Sequence, residues 1–170
     1  MKKLGLSLFI FLIAIMVAAC GHSIEDETKK AVIQTEEALQ NKPEQMNETV
    51  GSVQFHLPSG LSVKEESPNN IILVKGTHPY VLFYNPNENS ESEALYENTK
   101  QSADRIIVDK TFPASDKFGY LLIIEADDSL YEITTGIGGI KATTKSTVDQ
   151  VASDAEMMIN IVASTNVIEQ

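Results

Sequence analysis

The stretch from Ser52 to Asn85 constrains the fold more than any other. In "SVQFHL", Val53, Phe55 and Leu57 alternate with Ser52, Gln54 and His56, a period of two that marks a strand with one buried face. "PSG" reads as a turn, "LSVKEE" alternates again through Leu61 and Val63, and "SPNN" reads as a second turn. "IILV", from Ile71 to Val74, is apolar on both faces, and after "GTHP" a fourth strand reads as "YVLFYN", Tyr80 to Asn85. Connections this short leave no room for the crossovers of a dozen or more residues that parallel neighbours need. The four strands are therefore expected to form an antiparallel meander.

Helical periods flank this block. From Ser23 to about Asn41, Ser23 can cap a helix, Glu25, Asp26 and Glu27 suit its positive end, and Pro43 follows it. Its apolar stripe is thin: Ile24, Thr28, Ala31 with Val32, Thr35 and Leu39. Such a helix either packs on the domain edge or serves as a semi-ordered acidic spacer. After the polar loop "NPNENSESE", Ser90 and Glu93 suggest a capping box for a helix to about Arg105, with Leu95, Thr99, Ser102, Ala103 and Ile106 inward. The branched residues of "RIIVDKTF" favour a strand after Ile106. "FGYLLIIEA" and "LYEITTGIG" read as a long hairpin turning at Asp127 and Asp128. Thr147 and Gln150 suggest a second box, opening a closing helix with Val148, Val151, Ala155, Met158 and Val162 on one face.

The expected class is α+β: an antiparallel sheet of about six strands packed against two to three helices, preceded by a signal peptide and the N-terminal helix. Residues 1–19 are read as the signal, 20–50 as an acylated N-terminus with its helix, and 51–170 as one globular domain. "FHLPSGLSV" and the closing "IVAST" resemble the start and end of the PsbP-like superfamily of extracytoplasmic domains, at Phe55, Pro58, Gly60 and Ser164. Leu61 stands where that superfamily often has Trp. The resemblance implies a central antiparallel sheet and no shared catalytic residues.

The N-terminus bears on location. Lys2 and Lys3 precede "LGLSLFIFLIAIMVAA", an uncharged run that as a helix spans about 24 Å, short of a bilayer's hydrocarbon core. A basic region followed by a short apolar one is the pattern of an export signal. It ends on Val17, Ala18, Ala19, Cys20 and Gly21, which resembles the lipobox of bacterial lipoproteins. That resemblance implies cleavage before Cys20 and a diacylglycerol on its thiol; the alternative is an ordinary secretory signal beside a chance cysteine. Two acyl chains give the stable anchoring that one alone does not.

The formal net charge is −11, and loss of Lys2 and Lys3 with the leader would take it to −13. An acidic chain of this kind is not expected to bind nucleic acid, whose phosphates need Lys and Arg. Cys20 is the sole cysteine, so the mature domain has no thiol for a disulfide, nucleophile or zinc site.

Candidate chemistry is sparse. His22, His56 and His78 are too scattered to suggest a metal site. "GIGGIK", Gly136 to Lys141, lacks the spacing of either phosphate-binding glycine motif, and its glycines are expected to permit a bulge, a bend or close packing. Lys141, Thr143, Thr144 and Lys145 nevertheless form the one basic and hydroxyl cluster. Glu65 with Glu66, and Asp127 with Asp128, are adjacent carboxylates that read as solvated charge rather than a glycosidase pair. No catalytic residue, cofactor or metal is expected. The expected function is a non-enzymatic envelope module that contacts a protein partner or a small ligand, tethered to the membrane through Cys20. An envelope enzyme, or an accessory subunit of a cell-wall enzyme, is the alternative.

Overall fold

The computed structural model describes residues 23–168. The N-terminal helix forms as α1 (Ile24–Gln40), and the Ser23 hydroxyl caps it by accepting from the Asp26 N–H at 3.1 Å. Three-residue strands β1 (Glu48–Val50) and β2 (Val53–Phe55) follow as a tight hairpin. Then come β3 (Leu61–Ser67), β4 (Asn70–Lys75) and β5 (His78–Tyr84), helix α2 (Ala94–Gln101), and strands β6 (Ile106–Pro113), β7 (Phe118–Glu125), β8 (Tyr131–Ile137) and β9 (Ile140–Ser146). A 3-10 turn at Val148–Gln150 leads into α3 (Val151–Ser164), and a two-residue strand, β10 (Asn166–Val167), follows.

The fold is α+β. Seven strands form one antiparallel sheet in the order β3-β4-β5-β9-β8-β7-β6, and β1-β2-β10 form a smaller one. The large sheet consists of two meanders, β3 to β5 and β6 to β9, joined where β5 pairs with β9. Helix α2 lies in the connection between them.

The four-strand meander expected from Ser52 onward is corrected to three strands, because the first leaves for the small sheet. After Phe55 the backbone cannot continue as a ladder: the His56 N–H donates to the Ser164 hydroxyl at 2.9 Å, and Pro58 has no N–H to offer. Gly60 then turns with a φ of +90°, and the Leu61 N–H returns to the Pro58 carbonyl.

Both expected capping boxes fail to form. The Ser90 hydroxyl donates to the Asp116 carbonyl instead, α2 starts at Ala94, and it stops at Gln101 rather than Arg105. Ile106 consequently lies on β6, where its branched side chain suits a strand. The Thr147 hydroxyl donates to the Asp149 carboxylate at 2.6 Å, and the first turn is 3-10.

The two long helices cover one face of the large sheet. Ala31, Ala38 and Leu39 of α1 and Val151, Ala155, Met158, Ile159 and Val162 of α3 pack over Leu73, Leu82, Leu121, Ile123 and Ile133. The helix at the N-terminus is thus part of the core rather than a detached spacer. On the opposite face, α2 supplies Leu95 and Tyr96, which cover Tyr120 and Leu122.

The segment 136–141 is the β8–β9 turn. Gly138 takes a φ of +53°, and the loop 85–92 lies against the turn so closely that a Cβ on Gly138 or Gly139 would strike it. Close packing of backbone, here on a loop rather than a helix, accounts for these glycines.

Candidate functional site

Successive residues of a strand point to opposite faces, so β7, β8 and β9 each send one set of side chains under the long helices and the other toward α2. The second set contains Ile124, Glu132, Thr134, Lys141, Thr143 and Lys145. Register places Lys141 between Phe83 and Gly136, Thr143 between Val81 and Thr134, and Lys145 opposite Glu132. Helix α2 spans only eight residues and leaves part of this face uncovered. A cleft of about 590 Å³ remains there, between the end of α2, residues 102–105 and the turn after β7, with Glu132, Lys141 and Lys145 in its wall.

Lys141 is the half-buried member. Its ammonium donates to the Thr99 hydroxyl at 2.9 Å and lies 6.0 Å from the centre of the Phe83 ring. Thr99 gives its own proton to the Leu95 carbonyl at 2.7 Å, so its oxygen serves Lys141 only as acceptor. A lysine ammonium has three N–H donors, and Thr99 takes one. Among the described residues no carboxylate lies within 4 Å of Lys141 or Lys145. Burial pushes the Lys141 amine below the usual lysine value, and Glu132 acts in the opposite sense.

The rest of the rim is more self-contained. Arg105 sits 3.7 Å from Glu125 and 3.6 Å from Asp127. Beside the cleft, Lys100 pairs with Asp109 at 2.7 Å, and the Tyr96 hydroxyl donates to the same carboxylate at 2.7 Å. Burial works against the ionised form of Asp109, but the hydrogen bonds from Lys100 and Tyr96 outweigh it and hold that carboxyl below its usual value.

A second polar cluster lies on the helix-covered face. Asp154 of α3 is buried and accepts from the Tyr80 hydroxyl at 2.9 Å and the Ser146 hydroxyl at 2.5 Å. His78 Nε2 is 2.9 Å from the Thr144 hydroxyl and 3.9 Å from Asp154. Thr144 gives its proton to the Pro79 carbonyl at 2.7 Å, so Nε2 must be the donor. Burial first, and then Asp154, push the Tyr80 hydroxyl above the usual tyrosine range. This cluster pins α3 to β5 and β9. The sequence reading missed it, although Asp154 stands three residues after Val151 and four before Met158, on the apolar stripe itself.

Of the residues singled out in the sequence, Cys20 and His22 lie outside the described ones. His56 and His78 are far apart in role: the His56 ring contacts the Gln45 carbonyl at 2.9 Å, whereas His78 joins the Asp154 cluster. Glu65 and Glu66 lie exposed on edge strand β3. Asp127 and Asp128 occupy the expected turn, where Asp128 has a φ of +60°. Lys141 and Lys145 share the cleft, while Thr144 faces the other way. Among the described residues no group of three or more His, Cys, Asp or Glu could hold a metal ion, and no helix is long and apolar enough to cross a membrane.

No protein-family model matches this chain, and no curated protein matches its sequence.

Proposed function

We propose that this chain is a lipid-anchored extracytoplasmic module that works by binding rather than by catalysis. The observation that carries the reading is the apolar leader ending at Cys20, followed within four residues by the start of α1. Four residues reach at most about 14 Å, so a domain built around α1 would be held close to the bilayer. The cleft and the start of α1 lie toward the same end of the sheet. Residues 148–150 touch α1 and follow Ser146, which pairs with Tyr131 beside the turn after β7. Leu39, at the other end of α1, packs on Gly119 instead. A ligand entering the cleft would therefore be met near the membrane surface.

The PsbP-like reading belongs to the same proposal. Phe55 is fully buried, Gly60 takes the left-handed conformation, and the Ser164 hydroxyl accepts the His56 N–H. These positions do structural work in joining the small sheet to α3, which is consistent with a shared scaffold and no shared chemistry.

Fractionation tests the anchor. Wild-type protein is expected in the membrane fraction, and a Cys20→Ala variant is expected to leave it once the leader is removed. Retention of processed Cys20→Ala protein in the membrane would refute the reading.

One observation favours the enzymatic alternative: Lys141 and Glu132, a depressed amine and a carboxylate, share one cleft. Turnover of cell-wall fragments that is abolished by Glu132→Gln would replace the binding reading with that one.

A further inference from the structure

The walls of the cleft carry charges of both signs, and only some of them pair with one another. Arg105 is occupied with Glu125 and Asp127. Lys141, Lys145, Glu132 and Asp104 also line the cleft, yet none of these four forms an ion pair under 4 Å among the described residues. Lys141 keeps two N–H donors beyond the one given to Thr99. Keeping a half-buried ammonium without a counter-ion costs stability, a cost that a bound anionic group would offset.

The cleft does not suit a plain anion, because Glu132 and Asp104 stand around it without a paired cation and would repel one. A plain cation would meet Lys141 and Lys145. A molecule carrying both charges satisfies both walls.

Lys141 pairs with Gly136, four residues along β8 from Glu132, so the two side chains start roughly 13 Å apart along the sheet and line the same cleft. The lining is mostly polar, and Asn98, Thr99 and Ser102 of the α2 side share it with Lys141 and Glu132. It offers no apolar channel for an acyl chain, so the ligand is a free solute rather than a lipid.

We infer that the cleft binds a soluble zwitterion, with its acidic group on the free donors of Lys141 and its ammonium at Glu132. This rests on the binding-module reading above and narrows it to a ligand class.

The test is a nuclear magnetic resonance titration of the full chain with glycylglycine, alongside acetate and ethylamine as the two half-ligands. Glycylglycine should produce saturable shifts at the amides of Thr99, Glu132 and Lys141. Each half-ligand should bind about tenfold or more weaker, and Lys141→Met and Glu132→Gln should each weaken glycylglycine by about the same factor. Absence of saturable shifts, acetate binding as tightly as the dipeptide, or unchanged binding by the folded variants would each overturn the proposal. If either variant fails to fold, the half-ligand comparison on wild-type protein still decides. Failure here leaves the anchor at Cys20 standing, since membrane fractionation reads it separately.

Discussion

The two faces of the seven-stranded sheet are built from the same strands and differ in almost everything else. Beneath α1 and α3, the core residues Leu121, Ile123, Ile133, Met158 and Ile159 are fully buried, and the buried carboxylate Asp154 receives two hydroxyl protons. Across the sheet, one short helix covers Tyr120 and Leu122 and leaves Lys141 half-buried, with donors to spare. On the first face Asp154 gathers the Tyr80 and Ser146 hydroxyls, although the buried Thr35 and Thr135 hydroxyls find no hydrogen-bond partner among the described residues; the other face leaves Lys141 with donors to spare. The contrast places most of the buried core on the first face and the open cleft on the second.

Five substitutions sharpen or break that contrast. Neighbouring residues on opposite faces give the largest difference. Ile123→Ala should cost about 2–5 kcal/mol by opening a cavity under the helices. Ile124→Ala, on the wall of the cleft, should cost less than half of that because solvent can fill the space. Equal losses in urea unfolding would erase the distinction.

Next comes Asp154→Ala, which strands the Tyr80 and Ser146 hydroxyls in the interior. It should cost about 2–4 kcal/mol, read as a fall in thermal midpoint.

Lys141→Met should act in the opposite direction. Its folded-state value lies below the unfolded one, so the wild type carries a penalty at neutral pH that fades as pH rises through the folded value toward the unfolded one. The variant should be more stable at neutral pH, and the gain should vanish above the ordinary lysine value. Loss of stability at neutral pH would show that Lys141 supports the fold rather than a ligand.

The smallest effect belongs to the exposed pair beside the cleft. Asp109 is held below its usual value, so its contribution is present above the unfolded carboxyl value and is lost as pH falls through the folded one. Asp109→Asn should remove less than about 1 kcal/mol at neutral pH, and its unfolding curve should converge on the wild type in acid.

What could be read from the sequence follows from where the signals are local. Alternation at Leu61–Val63, the apolar strand run at Tyr80–Phe83, the Ser23 cap, and the Asp127–Asp128 turn are properties of a few adjacent residues, and each appears in the structure. β9 escaped notice because its helix-facing positions, Ala142, Thr144 and Ser146, carry little apolar bulk. It forms because two meanders need it as their joint, and that requirement is visible only in three dimensions. The capping boxes had the right residues in the right spacing, yet α2 starts at Ala94, beyond the reach of Ser90, and Thr147 opens a 3-10 turn without a side-chain cap. Lys141 and Lys145 were legible as a basic cluster, whereas Thr99 and Glu132, which complete the cleft, come from other elements.

The account depends most on an anchor that holds this acidic domain at a membrane, and the mass of the native N-terminus tests it most directly. A mature chain beginning at Cys20 and carrying the added mass of a diacylglyceryl group is the expected result. A chain that retains residues 1–19, or one that begins at an unmodified Cys20, would contradict it.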